Sequence, residues 1–399
     1  MLVREGEDYS IHLISKGELT LPLWNPLCSK PGLSVPLGGK GEGASREEKP
    51  FGQGVSCSQK RKSLALLGGV GYDGTNGREE SEMAQKYYAA ADIGGTKVAL
   101  GLFGEDKTLV GKGQFASDPG LPGEAFFTQV VEELQALCRE HEVDPAGLAG
   151  FGIGVPGMVK FYEGRVALCA MLPGLGGFPV EEFVTSLLPG VKVVVDNDGH
   201  CAALAESRQG AGRGFPHMLY CPVSTGLSSG IIIDGQLFRG SDGFAGESGH
   251  TIVSPGEGIP CGCGNPGCLQ SYCSGGMIVR HIQNWIAAGE KTQMVELAGT
   301  PEKITARHLE IAARAGDAMA LRALDQMALY LGVWVFNLYM TLNINCFVFG
   351  GGLIKMGDLL FGRVRKVFDQ YNHAGGEVHF KFAELGQESG LLGALELLF

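Results

Sequence analysis

Apolar residues fall into regular spacing only from Tyr87 onward. Tyr87–Ile93 is a short apolar run that predicts a strand. A Gly-Gly turn follows, and Val98–Phe103 predicts a second strand joined to the first as a hairpin. Across Gly123–His141, Phe126, Val130, Leu134 and Leu137 recur on one face, which predicts an amphipathic helix. Ala149–Val155 and Val191–Val195 read as buried strands, the first ending in Pro156-Gly157 and the second in Asp196-Asn197-Asp198. Met218–Val223 and Ile231–Ile233 flank a Gly/Ser turn. Ala312–Leu342 predicts two helices with few charges, hence largely buried, and Cys346–Phe349 a strand running into Gly350-Gly-Gly352. Strands alternating with helices predict an α/β fold. No solenoid repeat is present.

Residues 1–82 are different. Gly, Ser, Pro, Lys and Glu dominate stretches such as Lys30–Lys49 and Gly71–Glu82, with no sustained period of either kind. The expectation is a disordered or poorly packed segment, or one outside the natural protein. Met83 directly precedes the first predicted strand, so a misplaced start would account for the upstream residues.

Composition narrows the function classes. The 399 residues suffice for two domains with sizeable cores. A net charge of −11 argues against a nucleic-acid partner, which needs basic patches to neutralise phosphates. No apolar run is long enough to span a bilayer; Leu64–Val70 is far too short. Gly occurs 64 times, more than twice the usual share of about 7%. Such an excess points to tight loops of the kind that approach phosphates. Eleven cysteines without a secretory signal read as cytosolic thiols plus a metal site.

The densest chemistry lies in Glu247-Ser-Gly-His250 and Cys261-Gly-Cys263-Gly-Asn-Pro-Gly-Cys268. Three thiolates and one imidazole make a complete tetrahedral shell for a structural Zn²⁺. Four protein ligands leave no open position for a metal-bound water, so this zinc would shape a pocket and perform no chemistry. Glu247 stays outside the shell, free for another ligand. Asp92-Ile-Gly-Gly-Thr-Lys97 follows the first strand, and N–H groups in such a loop can cradle phosphate oxygens while Thr96 adds a hydroxyl. Asp92 is placed to hold Mg²⁺ through water. Asp198 ends a buried strand beside Asp196, where a carboxylate suits general-base work; Asp196 is the next candidate. A cap on a helix beginning at Cys201, made by Asn197 or Asp198, is compatible with that role. Ser224-Thr225-Gly226-Leu227-Ser228-Ser229-Gly230 is another strand–turn–strand, and Phe349-Gly-Gly-Gly-Leu353 lies between a strand and a helix, where backbone can approach adenosine or phosphate.

Together, the Glu-x-Gly-His and Cys-x-Cys-x₄-Cys pair resembles the signature of the ROK family, which holds bacterial sugar kinases, related open reading frames and sugar-responsive repressors. The resemblance runs from about Tyr87 to Phe399. It implies an α/β, two-domain actin-like ATPase (ribonuclease H-like) fold with a cleft between the domains. Residues 83–203 would form an N-terminal domain with the first phosphate loop and the catalytic Asp. Residues 204–399 would carry the zinc site and nucleotide-binding loops, the last helix packing back on the first domain.

The resemblance also implies an ATP-dependent kinase acting on the 6-hydroxyl of a hexose, most commonly glucose, with N-acetylglucosamine or N-acetylmannosamine as alternatives. Asp198 would be the base. Asn197, Asp198, Glu247, His250 and Gln270 would bind sugar. Asp92, Gly94, Gly95, Thr96, Lys97, Thr225, Gly226, Gly351 and Gly352 would bind the nucleotide, and His250, Cys261, Cys263 and Cys268 the zinc. A cytoplasmic homodimer is expected, with ATP, Mg²⁺ and structural Zn²⁺. The chain departs from the family pattern at several points. Ser224, Ser228 and Ser229 replace glycines and are expected to hold the loop farther from phosphate. Gly199 and His200 replace the residues after the catalytic Asp. Gln270 stands for a glutamate, and Met171 lies where many members have a sugar-contacting Asn. The rival reading is a non-catalytic sugar sensor. A repressor would carry an N-terminal helix-turn-helix, and residues 1–82 show no such pattern.

Overall fold

The structure, a computed structural model, describes residues 85–399. The expectations for residues 1–82 and for a start at Met83 lie outside the described residues.

Two five-stranded sheets dominate. The first uses β1 (Tyr87–Ile93), β2 (Lys97–Gly104), β3 (Leu109–Ala116), β4 (Leu148–Val155) and, after the small hairpin β5 (Met158–Lys160)–β6 (Arg165–Leu168), β7 (Val193–Asn197). Its order is β3-β2-β1-β4-β7. The strands β1–β3 form an antiparallel meander, and β4 and β7 add in parallel. The second sheet comprises β8 (Met218–Pro222), β9 (Gly230–Ile233), β10 (Gln236–Leu237), β11 (Cys346–Gly350) and β12 (His379–Phe382), in the order β10-β9-β8-β11-β12. It repeats the same plan: an antiparallel meander followed by two parallel strands. Two copies of one topology match the expected actin-like arrangement.

Each sheet buries its own core. On the first, Phe151 and Ile153 of β4 are fully buried in one core with Phe127 and Leu134 of α1 (Gly123–Glu140), which α2 (Val180–Leu187) joins. On the second, Phe347 and Phe349 of β11 are fully buried in one core with Leu324 of the helix Ala318–Leu342 and Phe368 of the helix Asp358–Tyr371. Each such side chain contributes about 1.5–3 kcal/mol by leaving water.

Between the sheets run α3 (Asp198–Arg208) and the terminal helix Ser389–Glu396. Ala203 and Leu204 of α3 pack on Met218, Tyr220 and Ile232 of the second sheet. Leu391, Ala394 and Leu395 of the terminal helix pack on Ala90 and Phe103 of the first. The two helices meet where Gly393 lies against the Cys201 carbonyl, a contact that any Cβ would overlap. Helix α3 begins at Asp198, three residues earlier than expected. The Asn197 carboxamide oxygen accepts from the amides of Gly199 and His200 at 2.8 and 3.2 Å and so caps the helix ahead of Asp198. Among the described residues, no helix is long and apolar enough to cross a membrane.

Candidate functional site

The two topological repeats each end a hairpin at the same cavity, of about 690 Å³. From the first sheet come Asp92 and Lys97, flanking the β1–β2 turn. From the second come Thr225 and Gly226 in the β8–β9 turn. At the β7–α3 junction stand Asn197 and Asp198, and the far wall carries Glu247, His250 and Gln270. Gly94, Gly95, Thr96, Gly351 and Gly352 are not on the wall. Gly94 closes the turn by donating to the Lys97 carbonyl at 2.8 Å, and a Cβ at Gly95 would meet the Met171 sulfur at 3.1 Å. Gly351 has φ +78°, and a Cβ there would press on the Val223 backbone, so only glycine suits the position.

Asp198 has one carboxylate oxygen bonded to the Gly199 amide at 2.8 Å. No protein donor reaches its other oxygen among the described residues. Burial pushes its pKa up to about 7, helped by the charges of Asp92 and Glu247 and opposed by the Gly199 amide and His200. A carboxyl with this value at the floor of a cleft is placed to accept a proton near neutral pH. Asp92 is also raised, by burial first; Lys97 opposes and Glu388 adds to it. Gly390, at the start of the terminal helix, abuts the Asp92 carboxyl, and any side chain there would collide with it. Sequence reasoning did not find Gly390 or Ser389, whose approach depends on how the last helix folds back.

Asp196, the next candidate, is held differently from Asp198. It is fully buried, with one oxygen 2.8 Å from His200 Nδ1 and the other accepting from Arg239 Nε at 2.7 Å. Burial alone would raise its pKa, but His200 and Arg239 hold it below the usual carboxylate range. The serine departures also divide. Ser228 lines the cavity. Ser229 does not: it is buried and shares a hydrogen bond of 2.9 Å with the Ser248 hydroxyl, while its amide donates to Gly246 O at 2.7 Å. Ser229 therefore ties the turn to the segment holding Glu247.

His250, Cys261, Cys263 and Cys268 bring their ligand atoms within 4.8 Å of one another, a possible metal site. Cys263 and Cys268 sulfurs are 3.6 Å apart, as are Cys261 Sγ and His250 Nδ1. Tetrahedral zinc with sulfurs at about 2.3 Å requires ligand separations of about 3.7 Å, so the donor set fits. The tight backbone comes from Gly264 and Gly267, at φ +95° and +79°. Burial would raise the Cys261 thiol, but hydrogen bonds from the Cys263 backbone, Gln270 and neighbouring thiols bring it to about 6. His250 turns Nδ1 to this cluster, and its Nε2 lies 4.0 Å from Glu247 on the cavity side. Glu247 has its pKa raised by burial, against the pull of His250 and His200. Gln270 splits its amide in the same manner. Its Nε2 donates to Cys261 Sγ at 3.1 Å, and it also lines the cavity.

The chain resembles known proteins over this whole described region. A glucokinase from Halalkalibacterium halodurans is 31% identical, covering 78% of this chain and 94% of that protein. An N-acetylmannosamine kinase from Yersinia pestis is 31% identical over 76% and 96%. The crystal structure of a ROK family glucokinase from Streptomyces griseus in complex with glucose and AMPPNP is 30% identical, with a TM-score of 0.65 over 78% of this chain and 98% of that chain. The repeated sheets, the cleft and the His/Cys cluster thus agree with a match of residues 88–399 to the ROK family model, and the chain belongs to the ROK family.

Proposed function

We propose that the chain is an ATP-dependent hexose kinase, with glucose phosphorylated at its 6-hydroxyl. The observation that carries the reading is Asp198: a carboxyl with a pKa near 7, with one oxygen free of protein donors, in a cleft that also receives both hairpin turns. The chain serves this chemistry as two lobes, 83–203 and 204–399, with the sugar and nucleotide between them.

Asp198 takes the proton of the sugar hydroxyl as that oxygen attacks the γ-phosphorus. The bond from phosphorus to the ADP oxygen breaks and ADP leaves with the electron pair. Glu247, His250, Asn197 and Gln270 orient the sugar. Asn197 does so from a fixed position, since its Nδ2 donates to the Gly157 carbonyl at 2.7 Å while its oxygen caps α3. Thr225 and Gly226 with the turn 94–97 bracket the phosphates, and Gly351 and Gly352 the adenosine end. Asp92 would hold Mg²⁺, which when bound supplies positive charge to the phosphates. His250, Cys261, Cys263 and Cys268 would hold a structural zinc, whose bonds would fix His250 and the wall bearing Gln270.

An N-acetylhexosamine is the second reading. Pro156, Cys169, Ala170 and Met171 form an apolar stretch of the cavity wall, which suits an acetyl methyl group. ADP release measured with glucose, N-acetylmannosamine and N-acetylglucosamine in turn separates the two. Release with none of them, in protein that binds one by calorimetry, would instead favour a non-catalytic sensor. We place the protein in the cytoplasm, where a reducing environment suits the nine free cysteines among the described residues. We expect a homodimer. The exposed Ile252, Leu329 and Met340 give an apolar surface for it, and light scattering tests it.

A further inference from the structure

His200 stands at one of the points where the chain departs from the family pattern, and the structure gives it two acceptors. Its Nδ1 lies 2.8 Å from an Asp196 oxygen and its Nε2 2.9 Å from the Ala245 carbonyl. A neutral imidazole has one N–H and would leave one acceptor facing an acceptor. An imidazolium satisfies both.

The two contacts connect distant elements. Asp196 ends β7, next to Asn197 and Asp198. Ala245 lies two residues before Glu247. The same loop is held at its other end by Arg239, which donates to Asp196 at 2.7 Å, and the Arg239 guanidinium stacks 3.8 Å from the Phe161 ring. Ala245 N closes the loop on Arg239 O at 3.0 Å. Asp196 is therefore a buried hub. Two cations fasten to it both ends of the segment that delivers Glu247.

We infer that His200, as an imidazolium, is a positioning residue for Glu247, so that sugar affinity depends on the charge of a residue that does not touch the sugar. This rests on the sugar-binding reading of Glu247.

The charged groups facing the ring are Asp196 from β7, Arg239 and Glu247 from the loop, and Asp198 from its own helix. Three carboxylates against one cation favour the protonated ring. Burial lowers the His200 pKa, but the hydrogen bond and charge of Asp196 and the Ala245 carbonyl outweigh it, with Arg239 opposing, and the net shift is upward. A raised histidine keeps its charge below the folded pKa and loses it as pH rises through that value. The clamp should therefore loosen at alkaline pH.

The test is calorimetric titration of wild type and His200→Asn with glucose and with N-acetylmannosamine, from about pH 6 to about pH 10, with melting curves alongside. Wild type should lose about tenfold in affinity across the series, the scale of one charge-assisted hydrogen bond. His200→Asn should begin about tenfold weaker at neutral pH and show no further loss above about pH 8, where Asp198 is already ionised. In turnover, its sugar KM should rise by more than kcat falls. A flat wild-type series, or a variant with the wild-type slope, overturns the inference while leaving the kinase reading intact. Failure of wild type to bind any hexose overturns both. Should His200→Asn not melt cooperatively, histidine NMR of wild type decides: a His200 ring that is neutral at about pH 7 overturns the inference, and an imidazolium there supports it.

Discussion

The side-chain amide of Gln270 donates to the sulfur of Cys261 at 3.1 Å. One residue thus touches both the cavity and the metal site. Gln270→Leu keeps much of the bulk and removes the donor. A lost partner beside a metal ligand typically costs about 10- to 100-fold in metal affinity. We expect a chelator to strip zinc at least about tenfold faster from Gln270→Leu than from wild type, followed by dye absorbance. Equal rates would show that the amide does not serve the thiolate.

Gly152 in β4 faces the Ala394 carbonyl of the terminal helix so closely that a methyl group would overlap it. Gly152→Ala must push that helix off the first sheet or strain β4. Overpacking of this kind costs about 1–3 kcal/mol. Thermal melting should show a clear drop in Tm, whereas Gly113→Ala, in open space on β3, should change little. Equal melting of the two variants would contradict this packing.

Much of the fold was legible because the central strands are apolar runs ending in turn residues. Tyr87–Ile93 and Lys97–Gly104 are a hairpin as read, and the acidic end of β7 does reach the cavity. The edge strands β3 and β12 were not read. Their burial is partial, and β3 mixes exposed Leu109 with Lys112 and Gln114. The site was legible where ligands lie close in sequence, as in Cys261–Cys268. It was not where partners are distant. Arg239 meets Asp196 across 43 positions, and only the pairing of loop and strand end brings them together. The contacts of Ser229 were hidden for a related reason. Ser229 bonds to Gly246, 17 positions away, where φ is +99° and any Cβ would strike the Ser229 carbonyl.

The Asp198 pKa near 7 fixes the sign of the pH dependence. A base works deprotonated, so kcat/KM should climb through about pH 7 and fall again only where the His200 clamp loosens at alkaline pH. Asp92→Asn removes the second cause of the shift, after burial. The midpoint should move to lower pH even though the rate itself falls. For stability the sign is reversed. A carboxyl raised above its unfolded value of about 3.9 opposes folding increasingly as pH rises from about 4 to about 7. Asp198→Asn should therefore melt higher than wild type at about pH 8 and show no such gain at about pH 4. A pH–rate profile with no limb near neutrality would contradict the assignment of Asp198.

The most direct test is the turnover of Asp198→Asn, measured by ADP release with the best hexose, beside its sugar affinity by calorimetry. The substitution keeps the shape and the acceptor for the Gly199 amide but removes the base. Turnover should fall by about 10²- to 10⁴-fold, the span for losing general-base catalysis. Affinity should fall far less, because Asn197, Glu247, His250 and Gln270 remain on the wall. A variant that turns over as fast as wild type would contradict the account. Asp198 would then be a helix-terminal residue without catalytic work, and the proton would have to leave by another group.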